Sequence, residues 1–469
     1  MGKPDIYPTG VTMYQPEKAW NGYTVFPSEL GATVIDMNGQ VVKIWKGIKS
    51  SPVKLLPGGF IMGGIGSDQG KSGEDSVLEV VQADWNGDVV WRYYRNREIS
   101  LPDGTRRYAA LQHHDFQRQG SPTGYYAPNL EPWTDHGNTI LLTYRRLFAP
   151  HISAAELRDE RILELDWQGK VVWEWNSNEH FDEMGFDEAA RQAISENPAG
   201  GDWLHLNAVS CLGPNRWYAE GDERFHPDNL ICSSRQCNLI FIIDKATGHL
   251  VWRLGPDYLA TPQLRALGQI IGQHHAHMIP QGLPGEGNIL LFDNGSFGGY
   301  GAPTGASPDG VNRERRHYSR VLEFNPITLE IVWEYVGDRL PNGNVMVMGA
   351  QRMFSPFISS VQRLPNGNTL IDQGADGLFI EVTSAGEKVW EFLNPISRKG
   401  TPDSIRYSVY RAYRVPYDWI PQLSRPEEIA VTPPDIETYR VPGAMAFGDP
   451  EKVSTDIRLE KCENEEMLQ

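Results

Sequence analysis

One phrase recurs six times along this chain and limits what it can fold into: an apolar run, a tight turn, and a second apolar run closing on tryptophan. It reads ATVIDMNGQVVKIW at 32–45, VLEVVQADWNGDVVW at 77–91, ILELDWQGKVVW at 162–173, LIFIIDKATGHLVW at 239–252, VLEFNPITLEIVW at 321–333 and FIEVTSAGEKVW at 379–390. Each copy has the form of a β-hairpin. A four-stranded propeller blade takes about 40–50 residues, which suits the short separations from Trp45 to Trp91 and from Trp333 to Trp390. The longer separations hold a blade plus an insertion. An all-β, six-bladed β-propeller over residues 1–397 follows, with residues 398–469 as a closing strand, a surface wrap and an acidic tail. The 47 glycines and 33 prolines suit many short strands joined by turns. Helical insertions are expected at 153–161 (SAAELRDER) and 186–197 (FDEAARQAISEN), covering one end of the propeller.

Lys and Arg number 43 against 60 Asp and Glu, a formal net charge of −17 that disfavours nucleic acid and anionic membrane as partners. Met1 to Trp20 contains no apolar core of the kind that directs secretion, and no later run reaches about 18 apolar residues. A soluble, cytoplasmic protein is expected. Cys211, Cys232, Cys237 and Cys462 are too few and too irregularly spaced for a disulfide framework, so reduced thiols are expected.

A second phrase follows most hairpins, where a propeller's next inner strand belongs. SSVQRLPNGNTLI at 359–371 is its clearest form; SPVKLLPGGFIM at 51–62, HHDFQRQG at 113–120 and HAHMIPQG at 275–282 are related. In register, Ser51, His114, Asn207, His274 and Ser359 share one position. Strand side chains alternate with period two, so His205 shares the face of Asn207. His114, His205 and His274 then converge on the central channel. By the same rule His113 is the opposite neighbour of His114, and His275 and His277 face away. The segment Asp202 to Gly295 falls in the third and fourth blades.

The succession PTGVTMYQPEKAWNGYTVF (8–26), DWLHLN (202–207), SSR (233–235), DKATGHLVWRLG (244–255), QHHA (273–276), FDNG (292–295) and YSRVLEF (318–324) resembles the arylsulfotransferase family over most of the chain, from about Pro8 to Pro395. The resemblance implies a six-bladed propeller that moves a sulfuryl group from an aryl sulfate to a phenol through a sulfated histidine, without a nucleotide donor. It marks His205 and His274 as active-site histidines and Arg235 and Arg320 as candidates for the sulfuryl oxygens, with Asp293 and Asn294 shaping the rim. One departure stands out. In the family the sulfate-accepting histidine lies late in the chain, whereas the last histidine here is His317, and the corresponding stretch reads MFSPFISSVQRLPNGN (353–368).

The expected catalytic set is therefore His205, His274, His114 and Arg235, with Arg320, Asn207, His113 and Ser359 contacting a small aromatic substrate. Sulfuryl transfer requires no cofactor. The alternative reading takes His114, His205 and His274 as ligands of a divalent transition metal, Zn, Cu or Fe, in a hydrolase, lyase or oxidoreductase acting on an aromatic molecule. A propeller that only binds a partner is the baseline. Homo-oligomerisation is left open. The glycine-rich SFGGYGAPTGASPDG (296–310) has no phosphate-loop pattern and is expected to form a flap.

Overall fold

The computed structural model describes residues 9–66, 76–94, 96–100, 106–337, 353–399, 405–433 and 448–458. Six antiparallel sheets form six blades in a ring, a six-bladed β-propeller. The innermost strands are Tyr413–Val415, Ile48–Leu56, Gln112–Arg118, Leu206–Cys211, His274–Met278 and Ser360–Arg363 for blades 1 to 6. The ring closes with strands from both ends of the chain. Tyr413–Val415 supplies the inner strand of blade 1 beside Tyr23–Ser28, while Gly10–Tyr14 lies outermost on blade 6 beside Lys388–Leu393. Ser454–Asp456 adds a parallel outer strand to blade 1.

The six recurrent hairpins are the third and fourth strands of the six blades, counted outward from the inner strands. Their turns begin on a residue whose side chain can fold back on the backbone. Asp36 Oδ1 accepts from the N–H of Asn38 and Gln40, Asp244 Oδ1 from Ala246, Asn325 Oδ1 from Ile327, and Thr383 Oγ1 from Glu387.

The tryptophan that ends each hairpin reaches the turn of the next blade. The indole N–H donates from Trp45 to Asp84 O, from Trp91 to Trp167 O, from Trp173 to Lys245 O, from Trp252 to Pro326 O, from Trp333 to Ser384 O, and from Trp390 to Met37 O. The series runs once around the ring and returns to blade 1. Each tryptophan is thus an inter-blade clamp as well as an apolar anchor, which explains why the repeat keeps an aromatic carrying a donor.

Of the two expected helical insertions, the second is a helix, Glu188–Glu196, with Asp187 at its N-cap accepting from Ala190 N–H. Residues 153–161 are not helical. From Glu156 they run into the strand Glu156–Leu165, paired over ten residues with Thr139–Phe148. The pairing buries Leu157 completely and seats the buried Asp159 against Arg145 at 3.1 Å, so cross-strand partners override a helix-forming composition. The chain region Asp202–Gly295 lies mainly in blades 4 and 5 rather than 3 and 4, because the C-terminal strand leaves Ile48–Leu56 to open blade 2. Among the described residues no helix is long and apolar enough to cross a membrane.

Candidate active site

Every inner strand that carries a candidate residue is irregular near its start. Pairing slips between His113 and Phe116, between Leu206 and Ala208, and between His274 and His277. Left-handed backbone accompanies the slips at His114 (φ 52), His205 (φ 49) and His275 (φ 54); Ile358 and Ser359, just before the regularly paired inner strand of blade 6, are left-handed too. Bulges re-aim side chains, so simple alternation fails at these positions.

His114, His205 and His274 nevertheless meet. Together with Arg235 they line one cavity of about 570 Å³, whose wall includes Arg158, Asp202, Asn312, Phe357 and Tyr410. The rings of His114 and His205 stand 4.8 Å apart, and Tyr410 lies 6.0 Å from His114. Another hollow of about 600 Å³, at the perimeter between Trp85 and Ser454, is lined by no imidazole.

Hydrogen bonds fix which nitrogen of each imidazole is free. Asn294 donates through Nδ2 to the carbonyls of Ser355 (2.7 Å) and Ile358 (2.9 Å), which turns its Oδ1 towards His274. His274 Nδ1 lies 2.8 Å from that oxygen and 3.1 Å from Gly272 O. With acceptors on both contacts, Nδ1 carries the proton and Nε2 keeps its lone pair. Burial, opposed by the Asn294 bond but reinforced by Arg235 and His205, pushes the His274 imidazole down to about 3, so it is neutral at ordinary pH.

His205 Nδ1 lies 2.5 Å from Asp202 Oδ2, so it too donates through Nδ1 and leaves Nε2 free. Burial alone would push the Asp202 carboxyl up; the His205 imidazole, helped by Arg158 at 3.4 Å, outweighs it and holds the carboxyl below the ordinary range. His113 and His114 share a 2.8 Å contact between their Nδ1 atoms. His113 Nε2 is 3.0 Å from Glu160 Oε2, outside hydrogen-bond alignment but close enough for the carboxylate to favour a proton there. His113 Nδ1 then accepts from His114, whose Nε2 is the third free nitrogen. Burial and the neighbouring His205 keep His114 well below the usual imidazole range.

Arg235 is held by its backbone, which donates to His205 O at 3.1 Å, while among the described residues its guanidinium makes no hydrogen bond or ion pair. A cation with no hydrogen-bonded or ion-paired partner among the described residues, in one cavity with the neutral His114 and His274, is arranged to receive an anion.

The remaining expected contacts lie behind the cavity wall. Arg320 is buried against Asp293 (2.8 Å), Glu334 (3.1 Å) and the carbonyls of Leu267 and Gly268. Asn207 donates to Gln273 O at 2.7 Å, and His113 stacks on Tyr144 at 3.8 Å. Ser359 donates to Ser355 Oγ at 2.8 Å and receives Gly374 N–H, so its hydroxyl is consumed by the blade.

His275 and His277 do not face away, because the bulge at His275 resets the alternation. His275 Nδ1 accepts from Val361 N–H of blade 6 at 3.2 Å, and its Nε2 lies 3.4 Å from Tyr413 of blade 1. His277 Nε2 is 2.9 Å from the Tyr125 hydroxyl. Both belong to a buried channel network continued by Arg411, which pairs with Asp115 at 2.9 Å, and by Lys54, 2.9 Å from the same carboxylate.

Tyr410, Arg411, Phe357 and Arg158 have no place in the sequence-derived site. Tyr410 and Arg411 precede the closing inner strand as His205 precedes that of blade 4, so treating Tyr413–Val415 as an inner strand would have found them. The 296–310 segment carries the strand Gly298–Tyr300, paired with Val311–Glu314, and Val311 and Asn312 reach the cavity.

Among the described residues, the group of three His, Cys, Asp or Glu ligand atoms all within 4.8 Å of one another is His180, Glu183 and His249, and the cavity trio does not form such a set.

Similar solved structures include a protein of unknown function from Bacteroides caccae (11% identity, 84% of this chain and 99% of that one, TM-score 0.43) and the Dos1 propeller (9%, 77% and 80%, TM-score 0.35). Apo AztD from Citrobacter koseri is another (8%, 84% and 98%, TM-score 0.33). Likenesses this distant say nothing of the chemistry. No curated protein matches the chain. Residues 133–413, more than half of the sequence, match the family model described as arylsulfotransferase (ASST).

Proposed function

Because this chain belongs to the arylsulfotransferase (ASST) family, we propose that it transfers a sulfuryl group from an aryl sulfate to a phenol in the cavity of His114, His205, His274 and Arg235. The observation that carries this reading is the Arg235 guanidinium, without a hydrogen bond or ion pair among the described residues, in one cavity with the neutral, lone-pair-bearing Nε2 of His274. A family sulfotransferase needs one nucleophile, one acid–base group and one anion holder, and the three roles fall on three different side chains.

Arg235 binds the sulfuryl oxygens while Phe357 and Tyr410 flank the aryl ring. His274 Nε2 attacks sulfur; the N–S bond forms as the S–O bond to the aryl group breaks. The protonated His205, backed by Asp202, gives its proton to the departing aryl oxygen, releasing a phenol. The positive charge on sulfated His274 is met by Asn294 Oδ1 and Gly272 O at Nδ1–H. In the second half the acceptor phenol gives its proton to neutral His205, and its oxygen takes the sulfuryl group from His274. Protons and charge return to their starting places. His114, its ring centroid 4.8 Å from that of His205, packs beside the place where the acceptor hydroxyl meets His205. His274 stands in for the late-chain histidine of other members, and the Ser355 and Ser359 hydroxyls of that late stretch are tied into blade 6.

Release of nitrophenol from nitrophenyl sulfate, dependent on added phenol, is the direct assay. The reading expects turnover in the intact protein and none in His274→Ala. Turnover that His274→Ala retains, or its absence from the folded intact protein, rejects it.

A further inference from the structure

Away from the cavity, the turn of one blade meets the helix that follows its neighbour. His180 and Glu183 lie on the 3-10 segment Ser177–Met184, after the outer strand Val171–Asn176 of blade 3. His249 opens the outer strand Leu250–Leu254 of blade 4. Both imidazoles point Nδ1 at one atom, Glu183 Oε1, from 2.9 Å (His180) and 3.0 Å (His249).

We propose that His180, Glu183 and His249 form a zinc-class divalent metal site that clips blade 3 to blade 4. Tetrahedral zinc with bonds of about 2.0–2.1 Å sets its ligand atoms about 3.3 Å apart. The observed separations are a few tenths shorter, the spacing of hydrogen bonds that a cation would replace. A neutral imidazole can move its hydrogen to Nε2, so Nδ1 becomes a donor to metal without change of charge.

The surroundings already hold these groups in place. Glu183 Oε2 accepts Leu250 N–H at 2.7 Å, which orients Oε1 towards the imidazoles. Trp175 stacks on His180 with centroids 5.0 Å apart and donates its indole N–H to Gly248 O at 2.9 Å, so the two loops are tied before any ion arrives. Two imidazoles and one carboxylate select a zinc-like ion over calcium or magnesium, which prefer all-oxygen sets. His249, with 68% of its side chain exposed, leaves a coordination position to water. This site shares no residue with the cavity, so its fate is independent of the transfer reaction.

The test titrates Zn²⁺ into chelator-stripped full-length protein by calorimetry, with Co²⁺ absorption as a report on geometry. One saturable site is expected, together with a tetrahedral Co²⁺ spectrum and a higher thermal midpoint in Zn²⁺. Loss of an orienting group near a metal costs roughly 10–100-fold in affinity, so loss of a ligand in His249→Ala should cost about 100-fold or more. That variant changes an exposed residue and should fold, as circular dichroism will show. His274→Ala should keep the site. No saturable binding by the intact protein, unaltered affinity in His249→Ala, or loss of the site in His274→Ala would each overturn the proposal.

Discussion

Replacing Asp202 by Asn keeps the shape behind His205 and removes its charge. The carboxylate lies 2.5 Å from His205 Nδ1, where it orients the ring and would stabilise the imidazolium through which both half-reactions of the proposed transfer pass. In a serine-protease triad the same change costs on the order of 10⁴ in rate. The effect here should be smaller. Arg158 stands 3.4 Å from the same oxygen and already offsets part of its charge, and the His205 side chain is 19% exposed. A loss of roughly 10²–10³-fold is expected, or about 3–4 kcal/mol of barrier at 1.36 kcal/mol per tenfold. The assay is the steady-state rate across aryl sulfates whose leaving phenols differ in acidity. If His205 protonates the departing oxygen as proposed, the loss should fall on kcat and grow as the leaving phenol becomes less acidic. A loss below about tenfold, uniform across the series or confined to KM, would refute the acid–base role of the pair.

Arg235→Gln removes the proposed anion holder and should lower kcat/KM for the sulfate donor by roughly 10²–10³, the cost of one oxyanion donor, with phenol saturation little changed. An equal effect on both substrates would place Arg235 elsewhere in the cycle. Trp390→Phe deletes the buried bond to Met37 O that joins blade 6 to blade 1; the lost bond and the orphaned carbonyl together cost about 2–4 kcal/mol. Trp333→Phe deletes the same bond at a solvent-exposed position and should cost under about 1 kcal/mol, so urea midpoints that fail to separate the two variants argue against the clamp. His277 titrates at about 4 in the fold, pushed down by burial, against the 6.5 of a free imidazole. The unfolded chain therefore binds the extra proton between those values, and the stability tied to this group is full above pH 6.5 and falls as pH drops. His277→Gln should flatten the acid limb of stability against pH by about 1.4 kcal/mol per unit in that window; parallel curves would contradict the assignment.

The hairpins were legible because a turn residue, two apolar runs and a terminal tryptophan are local signals, and six copies reinforce one another. The inter-blade hydrogen bonds were not, since the acceptor of each indole is a main-chain carbonyl in the next repeat. The register of the inner strands drew His114, His205 and His274 together, but it placed Asn207 and Ser359 with them, and those two side chains are hydrogen-bonded to Gln273 and Ser355 instead. The inward turn of His275 and His277 was hidden by bulges that period-two counting ignores. Arg320 and Ser359 show another limit: residue type identified groups able to bind an anion or an aryl hydroxyl, but only the fold reveals that Asp293 and Ser355 already hold them. Arg235 matched the same motif logic as Arg320 and differs in making no hydrogen bond or ion pair through its guanidinium among the described residues. Residues 153–161 were misread as helix because ten cross-strand pairs, invisible in sequence, outweigh local preference.

The central claim is that His274 carries the sulfuryl group between donor and acceptor. Incubating the protein with an aryl sulfate and no phenol, quenching under mildly alkaline conditions and fragmenting the peptides by mass spectrometry measures it directly. The account predicts one sulfuryl group on His274, rather than on His275 or His277, released when phenol is added. A sulfuryl group on any other residue, or turnover with no covalent intermediate, would contradict it.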